Sequence, residues 1–351
     1  MALARAYAID SPTGHFHPTT IERREPGPTE VAFDILFAGI CHSDIHTARS
    51  EWGPARYPLV PGHEIAGIVT QVGSAVTKFK AGDRVGVGCF VDSCGRCAQC
   101  ACGHEQFCTG PGGTIWTYNC LGRDGVPTAG GYSTCITVEQ NYICRIPDAI
   151  ALEQAAPLLC AGVTTYSPLK RWGTGPGKRV AIIGMGGLGH MAVQIAAAMG
   201  ADVAVISQTR SKEADGRRFG AAEYYAASEP GTLRKLKANF DIMLTTVAVA
   251  KDMTPYVECL KPGGALVDVG MPQHPLTIGV RSLCAGNRIF AGSAIGGIAE
   301  TQEMLDFCAR HGLAAQVEVI SGDKIDAAYD KVIHSEVRYR YVIDTSTFPK
   351  G

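Results

Sequence analysis

The sequence predicts an α/β protein with two domains, one β-rich and bearing metal ligands, the other a doubly wound parallel sheet. Three observations favour this organisation. The chain has 351 residues, more than one ordinary hydrophobic core covers. Eleven of the fourteen cysteines lie between Cys41 and Cys160. A glycine-rich motif directly follows a continuous apolar run that ends at Gly184.

Composition excludes several classes of protein. Lys and Arg number 32 against 33 for Asp and Glu, so a basic surface of the kind that binds nucleic acid is not expected. No apolar run approaches the roughly 20 residues of a membrane helix, and the N-terminus lacks a secretory signal. We therefore expect a cytoplasmic protein without nucleic-acid or membrane partners. Its cysteines should be thiols or metal ligands and not disulfides.

The first 150 residues read as short strands. Residues 30–37, 65–72 and 84–88 alternate apolar and other side chains with a period of two. Gly and Pro separate these runs, as is typical of a β-rich, irregular domain.

The pattern changes at residue 152. Apolar residues recur at helical spacing over 152–170, and 179–184 is a continuous apolar run, as expected for a strand covered on both faces. The alternating strands and helices that follow predict a doubly wound α/β domain. Its further elements are a helix at 190–199 and strands at 202–206, 240–244 and 265–269.

The C-terminal segment resembles the N-terminal one again. A helix over 300–311 precedes short alternating runs that end at 340–344. We therefore predict that the first domain comprises 1–155 with 296–351, and the second 156–295.

A dinucleotide-binding motif begins the second domain. The segment Gly184-Met185-Gly186-Gly187-Leu188-Gly189 matches G-x-G-x-x-G between a buried strand and a small-residue helix. Its first glycine permits the tight turn, the second lets the pyrophosphate approach, and the third allows close helix–strand packing. Free N–H groups at the start of the helix bind the phosphates.

The end of the next strand favours NADP over NAD. An NAD site normally has Asp or Glu there for the ribose 2′-hydroxyl, but this chain has Ser207 and Gln208, followed by Arg210 and Lys212. A hydroxyl and two cations suit a 2′-phosphate. The alternative interpretation is a solvated basic loop.

Four closely spaced cysteines predict a structural zinc site. Cys94, Cys97, Cys100 and Cys108 form a C-x2-C-x2-C-x7-C pattern that can close a tetrahedral site with no open position. Cys102 interrupts the pattern and reads as a spare thiol, although it leaves the ligand set ambiguous. Reduced surface cysteines are the alternative.

A second group is dispersed along the chain. It consists of Cys41, His63 and Cys160. Spacing alone does not assign such residues to a metal, because a lone Cys or His is usually an ordinary core or surface residue.

Several long motifs, in order along nearly the whole chain, resemble the zinc-dependent medium-chain alcohol dehydrogenases, most closely the cinnamyl alcohol dehydrogenase branch. The segments that carry the resemblance are 39–44 (GICHSD), 57–64 (YPLVPGHE), the four-cysteine segment, 130–132 (GGY), 159–167 (LCAGVTTYS), the glycine motif and 337–342 (VRYRYV).

The resemblance implies a GroES-like catalytic domain, a Rossmann cofactor domain and two zinc ions. Cys41, His63 and Cys160 would hold a catalytic zinc that lowers the pKa of an alcohol or polarises an aldehyde carbonyl for hydride exchange with nicotinamide. Glu64 would be an alternative or neighbouring ligand. Ser43 and His46 would relay the proton through the nicotinamide ribose hydroxyl.

The resemblance also implies further contacts and a homodimer through cofactor-domain strands. The expected nicotinamide and groove contacts are Ser43, Thr164, Thr246, Gly270, Ser293, Ala294 and Ile295. The expected substrate-lining residues are Trp52, Pro54, Cys89, Trp116, Ala294 and Ile295. Arg338 or Arg340 would reach the pyrophosphate, or either would be a surface ion-pair residue.

The expected substrate is an alcohol or aldehyde. Two indoles suit a flat apolar molecule, aromatic or of medium length, unless the tryptophans pack in the core. Ala294 replaces an aromatic residue that plant members often carry, so broad aldehyde reduction is expected rather than a preference for cinnamaldehydes.

Three alternatives remain. A polyol dehydrogenase of the same superfamily usually prefers NAD, which the missing acid disfavours. A zinc-free quinone reductase would lack the cysteine cluster and Cys41. A zinc-binding interaction module is disfavoured by the near-neutral charge and the dinucleotide motif.

Overall fold

A computed structural model describes residues 2–249 and 251–350. It contains two compact units, Met1–Val163 with Gly296–Gly351, and Thr164–Ile295. The first unit therefore extends past residue 155, where the sequence suggested its end. Helical turns around Cys160 pack against strands of the first sheet, and this contact keeps them in the first unit.

Every run that was predicted as a strand forms one, and the structure adds further strands that the sequence did not single out. In chain order they are β1 (Ala2–Ala8), β2 (His17–Arg23), β3 (Glu30–Gly39), β4 (Ile65–Val72), β5 (Arg84–Val87), β6 (Phe90–Asp92), β7 (Ile115–Trp116), β8 (Cys135–Glu139), β9 (Cys144–Arg145), β10 (Arg179–Ile183), β11 (Asp202–Ser207), β12 (Glu223–Ala226), β13 (Phe240–Thr245), β14 (Leu260–Asp268), β15 (Ile289–Gly292), β16 (Val317–Ile320) and β17 (Arg340–Asp344).

The helices are mostly short. In chain order they are α1 (His42–Ala48), α2 (Ala98–Ala101), α3 (Leu152–Ala155), α4 (Ala161–Arg171), α5 (Gly189–Ala198), α6 (Glu213–Arg218), α7 (Thr232–Lys235), α8 (Thr254–Val257), α9 (Val280–Cys284), α10 (Ile298–His311) and α11 (Ile325–Ile333). Within the described ranges, none is long and apolar enough to cross a bilayer.

The first unit contains a mainly antiparallel sheet in the order β16-β17-β3-β4-β5-β9, with β8 also paired to β3. β3 is long enough to pair with β8 along its first half and with β17 at its end. Beside the sheet, a core cluster includes the fully buried Tyr132 together with Ile40 and Leu59. The end of β3, near Cys41, therefore lies against a rigid core.

The C-terminal segment completes this sheet. β17 pairs antiparallel with the end of β3, with Val342 opposite Gly39. The structure adds α11, which the sequence analysis did not anticipate. α11 buries Ile325, Ala328, Tyr329 and Val332, the spacing of an amphipathic helix.

The second unit is a doubly wound sheet. Its six parallel strands have the order β12-β11-β10-β13-β14-β15, so the order reverses between β10 and β13. The central strand β10 is fully buried from Val180 to Ile183, which explains its uninterrupted apolar sequence. The predicted α/β class is confirmed.

Candidate active site and cofactor loop

The pairing of β3 with β4 brings Cys41 and His63 together. Ala38 near the end of β3 lies opposite Ile65 at the start of β4. Cys41 follows β3 and His63 precedes β4, so both lie at the same edge of the sheet. The backbone N–H of Gly39 donates to the carbonyl of Glu64 at 2.9 Å, which fixes this edge.

Close backbone contact brings Cys160 to the same place. A Cβ on Gly88, which follows β5, would lie 2.6 Å from the carbonyl oxygen of Leu159. Only glycine allows the turn before Cys160 to approach β5 this closely. The Sγ atoms of Cys41 and Cys160 lie 4.0 Å apart.

These residues form one buried donor set. The ligand atoms of Cys41, His63, Glu64 and Cys160 all lie within 4.8 Å of one another, and all four side chains are buried. Two thiols, one imidazole and a carboxylate match the ligands that zinc binds at catalytic sites. The dispersed residues that the resemblance assigned to one zinc are therefore together.

Asp44, to which no role could be assigned from the sequence, holds this set in place. Its side chain is fully buried. One oxygen bonds to the Nδ1 of His63 at 2.9 Å, and the other accepts the N–H of Cys41 at 2.9 Å. A carboxylate on Nδ1 orients a metal-binding histidine and leaves Nε2 for the metal. In the sequence, the one indication of this role was that Asp44 lies three residues after the predicted ligand Cys41.

A buried ion pair lies behind Glu64. Arg340 of β17 donates to Oε1 of Glu64, and both side chains are almost inaccessible to solvent. Arg340 is therefore not a surface ion-pair residue, which the sequence analysis had left possible. Among the described residues Glu64 Oε2 finds no hydrogen-bond partner. That oxygen is the one that a metal in this donor set would complement.

Burial and neighbouring charges shift the pKa values of these ligands in different directions, and of the shifts of Cys41, Glu64 and His63 only that of Cys41 favours the form that binds a metal. The contact with Cys160 lowers the pKa of Cys41, and the positive charge of Arg340 lowers it further. Burial raises the pKa of Glu64 to about 7, although Arg340 opposes the rise. Burial also disfavours a charged His63, but Asp44, Cys89 and Cys41 together outweigh burial and raise the pKa of His63 well above its usual value.

The two predicted relay residues lie on α1, directly after Cys41. The thiol of Cys41 lies 3.6 Å from Ser43 Oγ. The ring of His46 stacks on Trp52 at 4.8 Å, and its Nδ1 bonds to Glu51 at 2.5 Å. The Nε2 of His46 is buried without a hydrogen-bond partner in the described part of the chain. Glu51 was not anticipated from the sequence.

The four closely spaced cysteines form a second donor set. Cys97 Sγ lies 3.5 Å from that of Cys100 and 4.0 Å from that of Cys108, and Cys94 lies 3.9 Å from Cys100. Tetrahedral zinc with Zn–S bonds of about 2.3 Å requires sulfur separations of about 3.8 Å. Cys102 is exposed and outside the set, which resolves the ambiguity in the sequence pattern.

Backbone N–H groups surround these sulfurs. The N–H of Cys97 donates to Cys94 Sγ and that of Cys94 donates to Cys108 Sγ, each at 3.3 Å. Backbone donors from Cys100 and Thr109 lower the pKa of Cys97 to about 5. Such donors stabilise thiolates, the form that binds zinc.

The glycine loop has the geometry that a pyrophosphate needs. Gly184 has a φ of +94°, which favours glycine. A Cβ on Gly189 would lie 2.2 Å from the carbonyl oxygen of Gly184, so the third glycine is required for packing. A Cβ on Gly186 would meet nothing within 4 Å, so this side of the loop is open to a ligand.

Other predicted cofactor residues lie beside this loop or near the ends of neighbouring strands. Thr246 donates its hydroxyl to the carbonyl of Ile183 at 3.0 Å, directly before Gly184. Gly270 follows β14, and a Cβ there would lie 2.3 Å from the carbonyl oxygen of Val247. Thr164 is buried, and its hydroxyl has no hydrogen-bond partner among the described residues.

The segment after β15 carries the last predicted nicotinamide contacts. The N–H of Ser293 donates to the carbonyl of Asp268 at 3.1 Å. Ala294 is exposed, and Ile295 has a φ of +40°, unusual for a β-branched residue.

The loop after β11 lies next to the glycine motif. The N–H of Gly184 donates to the carbonyl of Ile206 at 2.9 Å, which places Ser207 beside the phosphate loop. Lys212 is the N-terminal cap residue of α6. Arg210 is bound to two carboxylates, those of Glu213 and Glu229.

The candidate substrate residues of the first unit include two exposed indoles. Trp52 and Trp116 are 42% and 44% exposed, so neither packs in the core. Pro54 is exposed as well. Cys89 is partly buried and close enough to Cys160 to raise the pKa of that thiol, after the larger effect of Cys41.

Comparison with known proteins agrees with this geometry. Residues 27–148 match the family model of the alcohol dehydrogenase GroES-like domain. Residues 187–310 match that of the zinc-binding dehydrogenases.

Individual relatives cover almost the entire chain. An NADP-dependent alcohol dehydrogenase C of Mycolicibacterium smegmatis is 58% identical over 347 residues, 99% of both chains. The structure of a cinnamyl alcohol dehydrogenase from Sorghum bicolor has a TM-score of 0.95 and 41% identity, and the match covers 100% of both chains. That of a cinnamyl alcohol dehydrogenase from Helicobacter pylori, complexed with NADP(H), has a TM-score of 0.92 and 43% identity, covering 98% of this chain and 99% of that one. The protein therefore belongs to the zinc-dependent medium-chain alcohol dehydrogenases, in the branch of the cinnamyl alcohol dehydrogenases.

Proposed function

We propose that this protein interconverts primary alcohols and aldehydes with NADP(H) at a zinc ion held by Cys41, His63 and Cys160. The observation that carries the proposal is the buried donor set of these residues with Glu64, oriented from behind by Asp44. The names of the relatives support the reaction and the cofactor.

The donor set fits a catalytic zinc. Two thiolates, one imidazole and the adjacent carboxylate of Glu64 suit a site that exchanges one ligand for a substrate oxygen. When bound, zinc supplies Lewis-acid chemistry that polarises a carbonyl or acidifies an alcohol, and NADP(H) supplies or accepts the hydride.

The chain's own residues position the metal ligands and move the proton. Asp44 fixes the ring of His63, and the Arg340–Glu64 pair keeps a compensated charge behind the thiols. Ser43 and His46 carry the proton, and Glu51, which bonds to His46 and is 31% exposed, connects this path to water. No hydrogen-bond partner of the Nε2 of His46 lies within the described part of the chain, which supports its role as the proton acceptor.

The residues for NADP(H) form three groups in the second unit. The glycine loop 184–189 would receive the pyrophosphate, and the loop 207–212, with Ser207, Gln208, Arg210 and Lys212, would lie by the 2′-phosphate. The open space beside Gly186 supports the assignment of the pyrophosphate. Thr164, whose hydroxyl has no hydrogen-bond partner among the described residues, would contact the nicotinamide. Thr246, Gly270, Ser293, Ala294 and Ile295 would line the nicotinamide side.

The substrate is an apolar aldehyde or alcohol, aromatic or of medium length. Trp52 and Trp116 offer exposed apolar faces, and the stacking of Trp52 on His46 places one indole next to the proton path. Pro54, Cys89, Ala294 and Ile295 complete the set of residues that we assign to the substrate. The small side chain of Ala294 supports a broad range.

A cytoplasmic homodimer is the proposed working form. All fourteen cysteines are free, and thiols persist in a reducing compartment. β15 is an edge strand whose Ile289 is 39% exposed, and α9 beside it in sequence buries no side chain. An apolar strand edge of this kind suits pairing with a second copy.

Replacing a catalytic zinc ligand should separate chemistry from cofactor binding. We expect Cys41→Ala and His63→Ala to abolish turnover, whereas NADPH binding should remain, because the glycine loop belongs to the other unit. Steady-state aldehyde reduction, NADPH fluorescence titration and metal analysis check this, with zinc falling from about two to about one per chain. Cys284→Ala, at an exposed cysteine, is the control. Retained aldehyde reduction in either variant would refute the zinc mechanism.

Loss of a ligand in the four-cysteine set should lower the stability of the folded protein and should not act directly on the catalysed reaction. The segment 94–113 has little apolar core, so we expect Cys97→Ser to lower the melting temperature by about 5 °C or more. Thermal unfolding monitored by circular dichroism measures this. Cys102→Ser changes a neighbouring exposed cysteine outside the set and should unfold like the unaltered protein. An unchanged melting temperature in Cys97→Ser, with zinc still bound there, would contradict the structural role.

The loop after β11 should decide the cofactor preference. Lys212→Ala should raise the KM for NADPH about ten- to hundredfold and change that for NADH little, because only NADPH carries the 2′-phosphate. Ser207→Asp should weaken NADPH binding by repulsion and improve NADH binding by offering the ribose an acceptor. Lys178→Ala, before β10, is the control. Equal losses for both cofactors in Lys212→Ala would show that the loop does not read the phosphate.

Charge at the exposed strand edge should disrupt the dimer. We expect the unaltered protein to sediment at twice its chain mass of 37.1 kDa, and Ile289→Asp to sediment as a monomer, because a carboxylate opposite its own copy repels it. Sedimentation velocity provides the measurement. Val126→Asp, at a 60% exposed site in the first unit, should remain dimeric. A dimeric Ile289→Asp would place the interface elsewhere.

A further inference from the structure

The guanidinium of Arg210 is held by two carboxylates. Its Nε and Nη2 donate to the two oxygens of Glu229 at 2.6 and 3.1 Å, a bidentate pair. Its Nη1 donates to Glu213 at 2.9 Å and to the carbonyl of Tyr224 at 3.4 Å. Four hydrogen bonds thus engage a group that has five N–H donors.

These partners come from different elements on either side of the loop. Glu213 is the first residue of α6, and Glu229 follows β12. The other oxygen of Glu213 accepts from Arg217 at 2.9 Å, so this carboxylate is itself fixed. Arg210 therefore ties the loop 207–212 to the start of α6 and to the segment after β12.

The charge of Arg210 is already compensated. Hydrogen bonds from Arg210 lower the pKa values of both Glu213 and Glu229, and their bonds raise that of Arg210. Two anions face this cation, and a third anion, the 2′-phosphate, would have to displace one of them to form a comparable bidentate contact. Ser207 and Lys212 stand at the two ends of the same loop, at the end of β11 and at the cap of α6.

We propose that Arg210 is a positioning residue: it braces the loop 207–212 through Glu229 and Glu213, and so presents Ser207 and Lys212 to the 2′-phosphate without binding the phosphate itself. This rests on the NADP(H) preference of the proposed function. If Arg210 braces the loop, Glu229 contributes to cofactor affinity even though it is an anion. If Arg210 instead contacted the phosphate directly, Glu229 would have no such role.

A double-mutant cycle distinguishes the brace from a direct contact. The affinity for NADPH is measured by fluorescence titration in Arg210→Gln, Glu229→Gln and the double variant, all as the zinc-loaded full chain. We expect Arg210→Gln alone to weaken NADPH binding about three- to tenfold. When Glu229→Gln is already present, adding Arg210→Gln should change the affinity for NADPH by less than about twofold, because both changes remove the same brace. A full loss that persists in the Glu229→Gln background would mean that Arg210 binds the phosphate. No loss in Arg210→Gln would also overturn the proposal.

A measurement without cofactor tests the brace directly. Hydrogen exchange of the ligand-free protein should be faster in Arg210→Gln for the amides of residues 208–213. The matched control is Arg218→Gln, which removes an exposed arginine of α6 that pairs with Asp215. It should leave that exchange and the NADPH affinity within about twofold of the unaltered protein. Unchanged exchange in Arg210→Gln would overturn the proposal.

Failure of the proposed function would give a different result. In that case the unaltered protein would bind NADH as tightly as NADPH, and Lys212→Ala would weaken neither selectively. If the unaltered protein prefers NADPH and Lys212→Ala abolishes that preference, the proposed cofactor is supported. The double-mutant cycle then tests only whether Arg210 braces the loop.

Discussion

The buried carboxylate of Asp44 is the constraint on which the catalytic site depends. It accepts the N–H of Cys41, bonds to His63 and accepts the N–H of Gly62 at 3.2 Å. One side chain thereby fixes the start of α1 and the segment before β4, which are two of the three places that supply metal ligands; the third is the turn that carries Cys160. An unsatisfied buried carboxylate would be costly, so the ligand geometry and the local fold stabilise each other.

Charge compensation extends this constraint to the far end of the sequence. Glu64 lies beside the thiols of Cys41 and Cys160, where a second buried anion is unfavourable without a partner. Arg340 supplies the partner from β17. Replacing either member of such a pair alone leaves an uncompensated charge in the interior, whereas the intact pair adds little net stability. The Arg340–Glu64 pair keeps the carboxylate of Glu64 buried next to the thiols of Cys41 and Cys160.

The sequence predicted those parts of the site whose cooperating residues lie close together along the chain. The glycine motif and the four-cysteine set are local, so spacing and context were sufficient for both. Cys41, His63 and Cys160 required the family resemblance, because β-sheet pairing brings them together and spacing does not reveal it. The pair Arg340–Glu64 spans 276 positions and was not recognised, nor was the pairing of Arg210 with Glu229, which lies 19 positions away, beyond the next strand. The cooperation of Asp44 with His63 was also missed, since a motif does not show which side chain is buried.

The discontinuity of the first unit has a consequence for synthesis on the ribosome. Strand β17 must pair with β3, yet the entire second unit, Thr164–Ile295, is translated between them. Domains generally fold as they emerge, so the doubly wound unit can close while the metal site still lacks Arg340. During that interval Glu64 lacks the partner of its buried ion pair. The donor set therefore reaches its final electrostatic environment only after nearly the whole chain has been made.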